Sequence, residues 1–372
     1  MARAPRERDI DIEELPEDDR LADFPHPRFT PELFGHDAAL VELSQAFAAR
    51  KLHHGWLVTG ARGIGKATLA YRFARYALSE PSDRGPGERL SADMAGRGAR
   101  QVLALAHPGL LVIRRPYDPK DKRFKTAITV DEVRKLREFL GHTSGSGAWR
   151  VVIVDQAEEL NANAANALLK SLEEPPPRCI FFLISSEPGR LLPTIRSRCR
   201  RLPLERLEAP DLSDAVRQAF TATEGATLPD RAEWDRLATL ADGSVRRFLE
   251  LAHAGGGALS KKVDEVLASL GRRRSWTDVH KIADELSPQA ALPAFETFFE
   301  LLLSALSGRI RAAAISGDAS GLPGARLASW AELWETVVRE KADVMALNLD
   351  RKSFILETVA RLDALASGRT AG

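Results

Sequence analysis

Cysteine is almost missing from this 372-residue chain: Cys179 and Cys199 are the only two. Two thiols build neither a disulfide framework nor, by themselves, a zinc site, so they are expected as free thiols of a reducing compartment. Net charge is nearly missing as well. With 53 Lys and Arg against 52 Asp and Glu, the balance of +1 gives no overall basic excess for strong autonomous nucleic-acid binding. No apolar run approaches the ~20 residues of a membrane span, and the N-terminus lacks the apolar core of a signal peptide. The expectation is a cytoplasmic protein without a membrane partner. Internal repeats are absent too. What is present is 44% hydrophobic and 28% charged residues, ordinary for a globular chain of two or three domains.

Residues 1–28 alternate acids (Asp9, Asp11, Glu13, Glu14, Glu17, Asp18, Asp19) with arginines and prolines. Such a stretch buries too little apolar surface to offset its ordering entropy and reads as a disordered extension. Order is expected from about Phe29. Trp56-Leu57-Val58-Thr59 reads as a buried strand and 69–74 as the start of a helix. The Ser-, Pro-, Gly- and Arg-rich text of 79–100 suggests a flexible insertion, and 118–125 a solvated loop. Leu110-Leu111-Val112-Ile113 is a further strand, and 131–140 has helical spacing.

The most informative stretch runs from Val151 to Cys199. An apolar run, 151–154, ends in Asp155; a helical segment, 158–174, stops at Pro175-Pro176-Pro177; a second apolar run, 179–184, ends in Ser185-Ser186. Two buried runs around a helix make a βαβ unit, with Asp155 and the serines aimed at the crevice beyond the strand ends. After Leu204 only helical patterns follow, interrupted by Gly255-Gly256-Gly257, which reads as a linker, and by a loop at 317–324.

Between the first strand and its helix lies Gly60-x4-Gly65-Lys66, with Gly63 inside it. Backbone N–H groups of such a loop wrap phosphates, the helix N-terminus adds positive potential, and the lysine reaches the terminal phosphate oxygens. The next position normally carries a hydroxyl for Mg²⁺ but here is Ala67. Thr68 lies ~100° further round the helix and does not simply replace it. Asp155 suits a metal ligand, yet its neighbour Gln156 cannot take a proton from water. Glu158 and Glu159 read as favourable charges at a helix start. Arg198, within the basic run Arg196, Arg198, Arg200 and Arg201, is either a solvated turn residue or a planar cation offered to a phosphate.

The loop Gly60–Lys66, Asp155, the string Ala167-Leu168-Leu169-Lys170-Ser171-Leu172-Glu173-Glu174-Pro175-Pro176 and the triplet Ser197-Arg198-Cys199 closely resemble the subunits of the bacterial DNA polymerase III clamp loader, most narrowly the delta-prime branch. The resemblance is clearest over 34–204 and continues weakly through Gly243-Ser244-Val245-Arg246, similar to the family's second sensor. It implies an α/β AAA+ P-loop module (a parallel sheet with flanking helices) at 29–205, a small helical lid at 206–254 and an all-helical collar at 259–368. It also implies that Arg198 reaches in trans to the ATP of a neighbouring motor subunit, and that Ser185 or Ser186 stands at the first sensor. Gly60, Gly63, Gly65, Lys66, Ala67, Thr68, Asp155 and Arg246 would line the nucleotide site.

Delta-prime members are typically not working ATPases, in keeping with Ala67 and Gln156. The expected role is thus a non-motor component of the polymerase holoenzyme. Its partners would be gamma/tau and delta subunits, with the sliding clamp and primer–template DNA engaged through the complex. No cofactor is required on this reading, although ATP bound without hydrolysis is compatible with it. Relatives often carry a four-cysteine zinc module after the phosphate-loop helix; 79–103 holds no cysteine, so no zinc is expected. Two rival readings stay open, a gamma/tau-like motor ATPase and a DNA-binding module using the 196–201 arginines.

Overall fold

The computed structural model describes residues 16–21, 23–141, 148–271, 276–316, 322 and 327–368. The turn 143–147, the triplet Arg272-Arg273-Arg274 and most of the loop 317–324 lie outside them. The chain divides into two compact units, Met1–Leu228 with Ala241–Arg247, and Pro229–Leu240 with Phe248–Gly372.

The first unit runs α1 (Asp37–Ala48), β1 (Gly55–Thr59), α2 (Lys66–Leu78), α3 (Arg97–Leu103), β2 (Leu110–Ile113), β3 (Tyr117–Asp118), β4 (Arg123–Phe124), α4 (Val130–Gly141), β5 (Arg150–Val154), α5 (Ala162–Glu173), β6 (Cys179–Ser185), α6 (Pro193–Arg198), β7 (Arg200–Pro203) and α7 (Ala209–Thr221). Five strands form one parallel sheet in the order β2-β5-β6-β1-β7, while β3 and β4 make a separate two-stranded ribbon. The parallel sheet explains the unbroken apolar text of β5 and β6, because both faces are covered by helices. Alternate residues supply the two cores. Val151 and Ile153 join Leu69, Phe73 and Phe182 on one face. Val152 and Val154 join Leu168, Leu172 and Phe181 on the other. Full burial of each such side chain contributes roughly 1.5–3 kcal/mol.

Helix α5 starts later than periodicity suggests. Ala157–Glu159 form a separate 3₁₀ turn, and Asn161 caps α5 by accepting a hydrogen bond from the Ala164 amide at 2.9 Å. That turn sends the Glu158 side chain toward the strand ends instead of along the helix axis.

Two segments expected to lack order are held by buried arginines. In 79–100, Arg84 donates to the Ser79 and Ala77 carbonyls, Arg72 donates to the Arg89 carbonyl at 2.7 Å, and Leu90 and Ala99 are buried. Of the extension expected to be disordered over 1–28, residues 1–15 and 22 lie outside the described residues, and the remainder is held in place. Arg75, buried in α2, donates to the carbonyls of Arg28 and Thr30, and Phe24 packs edge-on against Phe220 at 5.5 Å. Composition missed this because the anchoring donors come from α2, about 45 residues away in sequence. The expected solvated loop at 118–125 contains the β3–β4 ribbon, closed by Tyr117 against Phe124.

The second unit is helical. It contains most of α8 (Arg231–Ala241) and α9 (Val245–His253), followed by α10 (Gly256–Ala268), α11 (Trp276–Leu286), α12 (Leu292–Ser316), α13 (Leu327–Leu347) and α14 (Arg351–Ala366). Phe295, Phe298 and Phe299 of α12 are buried, and Phe299 stacks on Phe354 of α14 at 4.7 Å. The stretch Gln289–Ile315 is long and apolar enough to cross a membrane by length and composition, but this phenylalanine face is packed inside the unit. The glycine run is not a linker. Gly255 turns the chain with φ 66°, and Gly256 and Gly257 open α10 buried against Leu251 and Glu233. A Cβ at Gly257 would stand 2.6 Å from Glu233 Oε1, so the glycines serve close packing.

Candidate functional site

The loop between β1 and α2 has the backbone that its glycines suggest. Gly60, Gly63 and Gly65 have φ of 145°, 76° and 108°, a region closed to most side chains. A Cβ on Gly60 would meet the Leu204 carbonyl at 2.4 Å, and one on Gly63 would meet Arg246 Cβ at 2.3 Å. His36, just before α1, is bonded to the Ile64 carbonyl at 2.7 Å and closes the loop from the other side. The backbone cradle and the α2 N-terminus thus fit phosphate groups. The metal arm does not fit, because Ala67 offers no oxygen and Thr68 is buried one position on.

Lys66 is buried, and its ammonium donates to the Gly60 carbonyl at 2.9 Å, the Ala61 carbonyl at 2.6 Å and Ser186 Oγ at 2.9 Å. Burial pulls its pKa down to about 8, against the opposing pull of the Asp155 and Glu158 carboxylates. Of the two candidate serines, Ser186 therefore faces the loop. Ser185 is buried at the end of β6 and accepts from the Glu187 amide at 3.2 Å.

Asp155, at the end of β5, accepts from the Gln156 amide at 3.0 Å. Burial, then the charge of nearby Asp19, pushes its pKa up to about 7. Gln156 has φ 49° and donates its side-chain amide to Asp18 at 2.8 Å, so it turns away from a water-activating position. Glu158 proves to be a site residue. Its Oε1 accepts from the Ser186 amide at 3.0 Å, while its buried Oε2 has no partner among the described residues. The sequence offered a signal for it only in hindsight: an acid three residues past a strand-end aspartate reaches the crevice when a 3₁₀ turn intervenes.

Arg246 joins the site through its backbone, its amide donating to the Gly63 carbonyl at 3.2 Å, and Ser244 Oγ donates to the Arg62 carbonyl at 2.8 Å. The Arg246 guanidinium donates to the Asp19 carbonyl at 3.0 Å. Arg198 is not with them. It ends α6 beside the first residue of β1, where a Cβ on Gly55 would lie 3.4 Å from the Arg198 carbonyl. The phosphate loop leaves the other end of that strand. At roughly 3.3 Å per residue the two are about 16 Å apart along β1. The Arg198 guanidinium bonds to Glu173 at 2.6 Å and to the Thr194 carbonyl at 3.0 Å, and stays about one-third exposed.

Residues 35–208 match the family described as DNA polymerase III, delta subunit. The delta-prime subunit of Pseudomonas aeruginosa is 40% identical over 148 residues, covering 39% of this chain and 41% of that protein. The delta-prime subunit of Escherichia coli is 37% identical over 159 residues, 43% of this chain and 44% of that protein. Over this stretch the chain is similar to delta-prime subunits. The tau subunit of Bacillus subtilis aligns further, at 27% identity over 285 residues, 74% of this chain and 46% of that protein. The chain thus spans less than half the length of these curated relatives. Its parallel sheet, flanking helices and glycine-rich loop after β1 make an α/β P-loop arrangement. Among solved structures, a gamma subunit-related DNA polymerase III protein of Thermotoga maritima aligns with 88% of this chain and 99% of its own, at 17% identity and a TM-score of 0.43.

Proposed function

We propose that this chain is a non-motor subunit of a DNA polymerase III clamp loader, and that it donates Arg198 in trans to a neighbouring ATPase subunit. The observation that carries this reading is the separation of Arg198 from the chain's own phosphate loop. The Arg198 backbone lies about 16 Å away along β1 and its guanidinium is turned to Glu173 and the Thr194 carbonyl, so it does not serve that loop, but it can face the nucleotide of an adjacent subunit. Its half-exposed ion pair with Glu173 is weak enough to exchange for a phosphate. Ala67 and the diverted Gln156 support the non-motor half, since they take away the metal hydroxyl and the water-activating group. Nucleotide phosphates, where held, would be held by the loop backbone and Lys66 without hydrolysis.

On this reading the partners are gamma/tau and delta subunits in a ring, with the sliding clamp and primer–template DNA reached through the assembly in the cytoplasm. The basic run gives little support to an autonomous DNA-binding module. Arg200 is paired with Glu42 at 2.6 Å and lies over Trp56, Arg198 is paired with Glu173, and Arg201 donates to Thr59 Oγ1.

The test is Arg198→Ala in the reconstituted complex. Arginine fingers are worth roughly 10³–10⁵ in turnover at the site they serve. A large loss of clamp- and DNA-stimulated ATPase at unchanged subunit assembly is expected. Unaltered ATPase at matched assembly sinks the finger role.

A further inference from the structure

Three consecutive acids lie against a site built for anions. Glu17 pairs with Arg28 at 2.5 Å and Arg114 at 2.6 Å. Asp18 takes a two-point bond from Arg115, at 2.6 and 2.8 Å, and a third from the Gln156 amide at 2.8 Å. Asp19 bonds to His26, to Arg114 at 3.1 Å and to the Asp155 carboxyl, while its carbonyl receives the Arg246 guanidinium. Burial would raise the Asp19 pKa, but the hydrogen bond and charge of His26, then the charge of Arg114, hold it down at about 2. The segment therefore ties together the ends of β2 and β5, which are adjacent in the sheet, and the arginine seated on Gly63.

We propose that residues 17–19 act as an internal anion, a strap that holds the arginines and the strand ends at the mouth of the phosphate loop and keeps a nucleoside triphosphate out until it is displaced. This rests on reading Gly60–Lys66 as a phosphate loop. A triphosphate entering the loop would compete with three carboxylates that already hold Arg28, Arg114 and Arg115, and any carboxylate stripped of its cation there would face the phosphates at close range where water is excluded. It would also find Arg246 turned to the Asp19 carbonyl. Release would begin at its outer pairs, to Arg114 and Arg115, which are about one-quarter exposed on the arginine side although the acids themselves are buried. A closed strap lowers the apparent affinity by the fraction of molecules that are open.

The experiment is equilibrium binding of a fluorescent ATP analogue with Mg²⁺ to the full chain and to the full-chain variant Glu17→Gln/Asp18→Asn/Asp19→Asn. The variant is expected to bind at least about tenfold more tightly than the parent, and adding Lys66→Ala should remove the gain. Equal affinity in the two chains, including no binding by either, overturns the proposal. A second measurement on the unaltered chain covers a variant that folds poorly: the rate of trypsin cleavage after Arg20. Acceleration by Mg²⁺-ATP, absent in Lys66→Ala, supports displacement of the strap, and an unchanged rate overturns it. Neither readout involves turnover, so the non-motor reading stands or falls separately.

Discussion

Asp155 is the single side chain that sets the electrostatics of the site. Its pKa rises from the usual 3.8 to about 7 because the carboxylate is buried beside Asp19. Between those values the folded chain holds more proton than the unfolded one, so stability is fully present below pH 4 and is lost as pH rises through 7. Asp155→Asn keeps an oxygen for the Gln156 amide and presents an NH₂ group toward Asp19. It is expected to stabilise the chain by about 1–2 kcal/mol at pH 8 and by almost nothing at pH 4. Calorimetric melting at the two pH values checks this, and an equal effect at both would contradict it. Lys66 titrates in the opposite sense. With its pKa depressed to about 8, the folded chain gives up that proton first, and stability gains from this group as pH rises from 8 toward 10.5. Asp155, Lys66 and the glycines were legible in the sequence because their motif fixes both residue type and spacing. Glu158, His36 and the acids 17–19 were not, because each reaches the site through a turn or a distant anchor that no local pattern encodes.

Among the elements, strands were the easiest to read and the connections the hardest. β1, β5 and β6 appear as short, wholly apolar runs because each is buried on both faces. The segment 79–100 and the glycine run 255–257 carry loop-like composition yet are ordered. Buried arginine-to-carbonyl bonds hold the first, and close backbone packing requires the second. In the helical unit the packing hub is Phe299, fully buried and in ring contact with Phe295, Phe298 and Phe354. Phe299→Ala is expected to cost about 3–5 kcal/mol. Removal of the α14 cap by Asp350→Ala, which frees the Lys352 and Ser353 amides, should cost only about 1 kcal/mol. Urea unfolding of the two variants distinguishes them, and a cap loss as large as the core loss would contradict the ranking.

For the whole molecule, the first unit presents two edges with different chemistry. At the carboxyl ends of the strands lies a phosphate cradle with a buried lysine, no metal hydroxyl and an acidic strap across its mouth. At the opposite edge Arg198 stands about one-third exposed. On the proposed reading, such a chain holds nucleotide poorly itself and offers a cation to a neighbour. The measurement that tests this most directly is steady-state Mg²⁺-ATP turnover by the purified full chain alone, with Lys66→Ala as control. The account expects no turnover above the control. Steady turnover abolished by Lys66→Ala would contradict it and make the chain a motor.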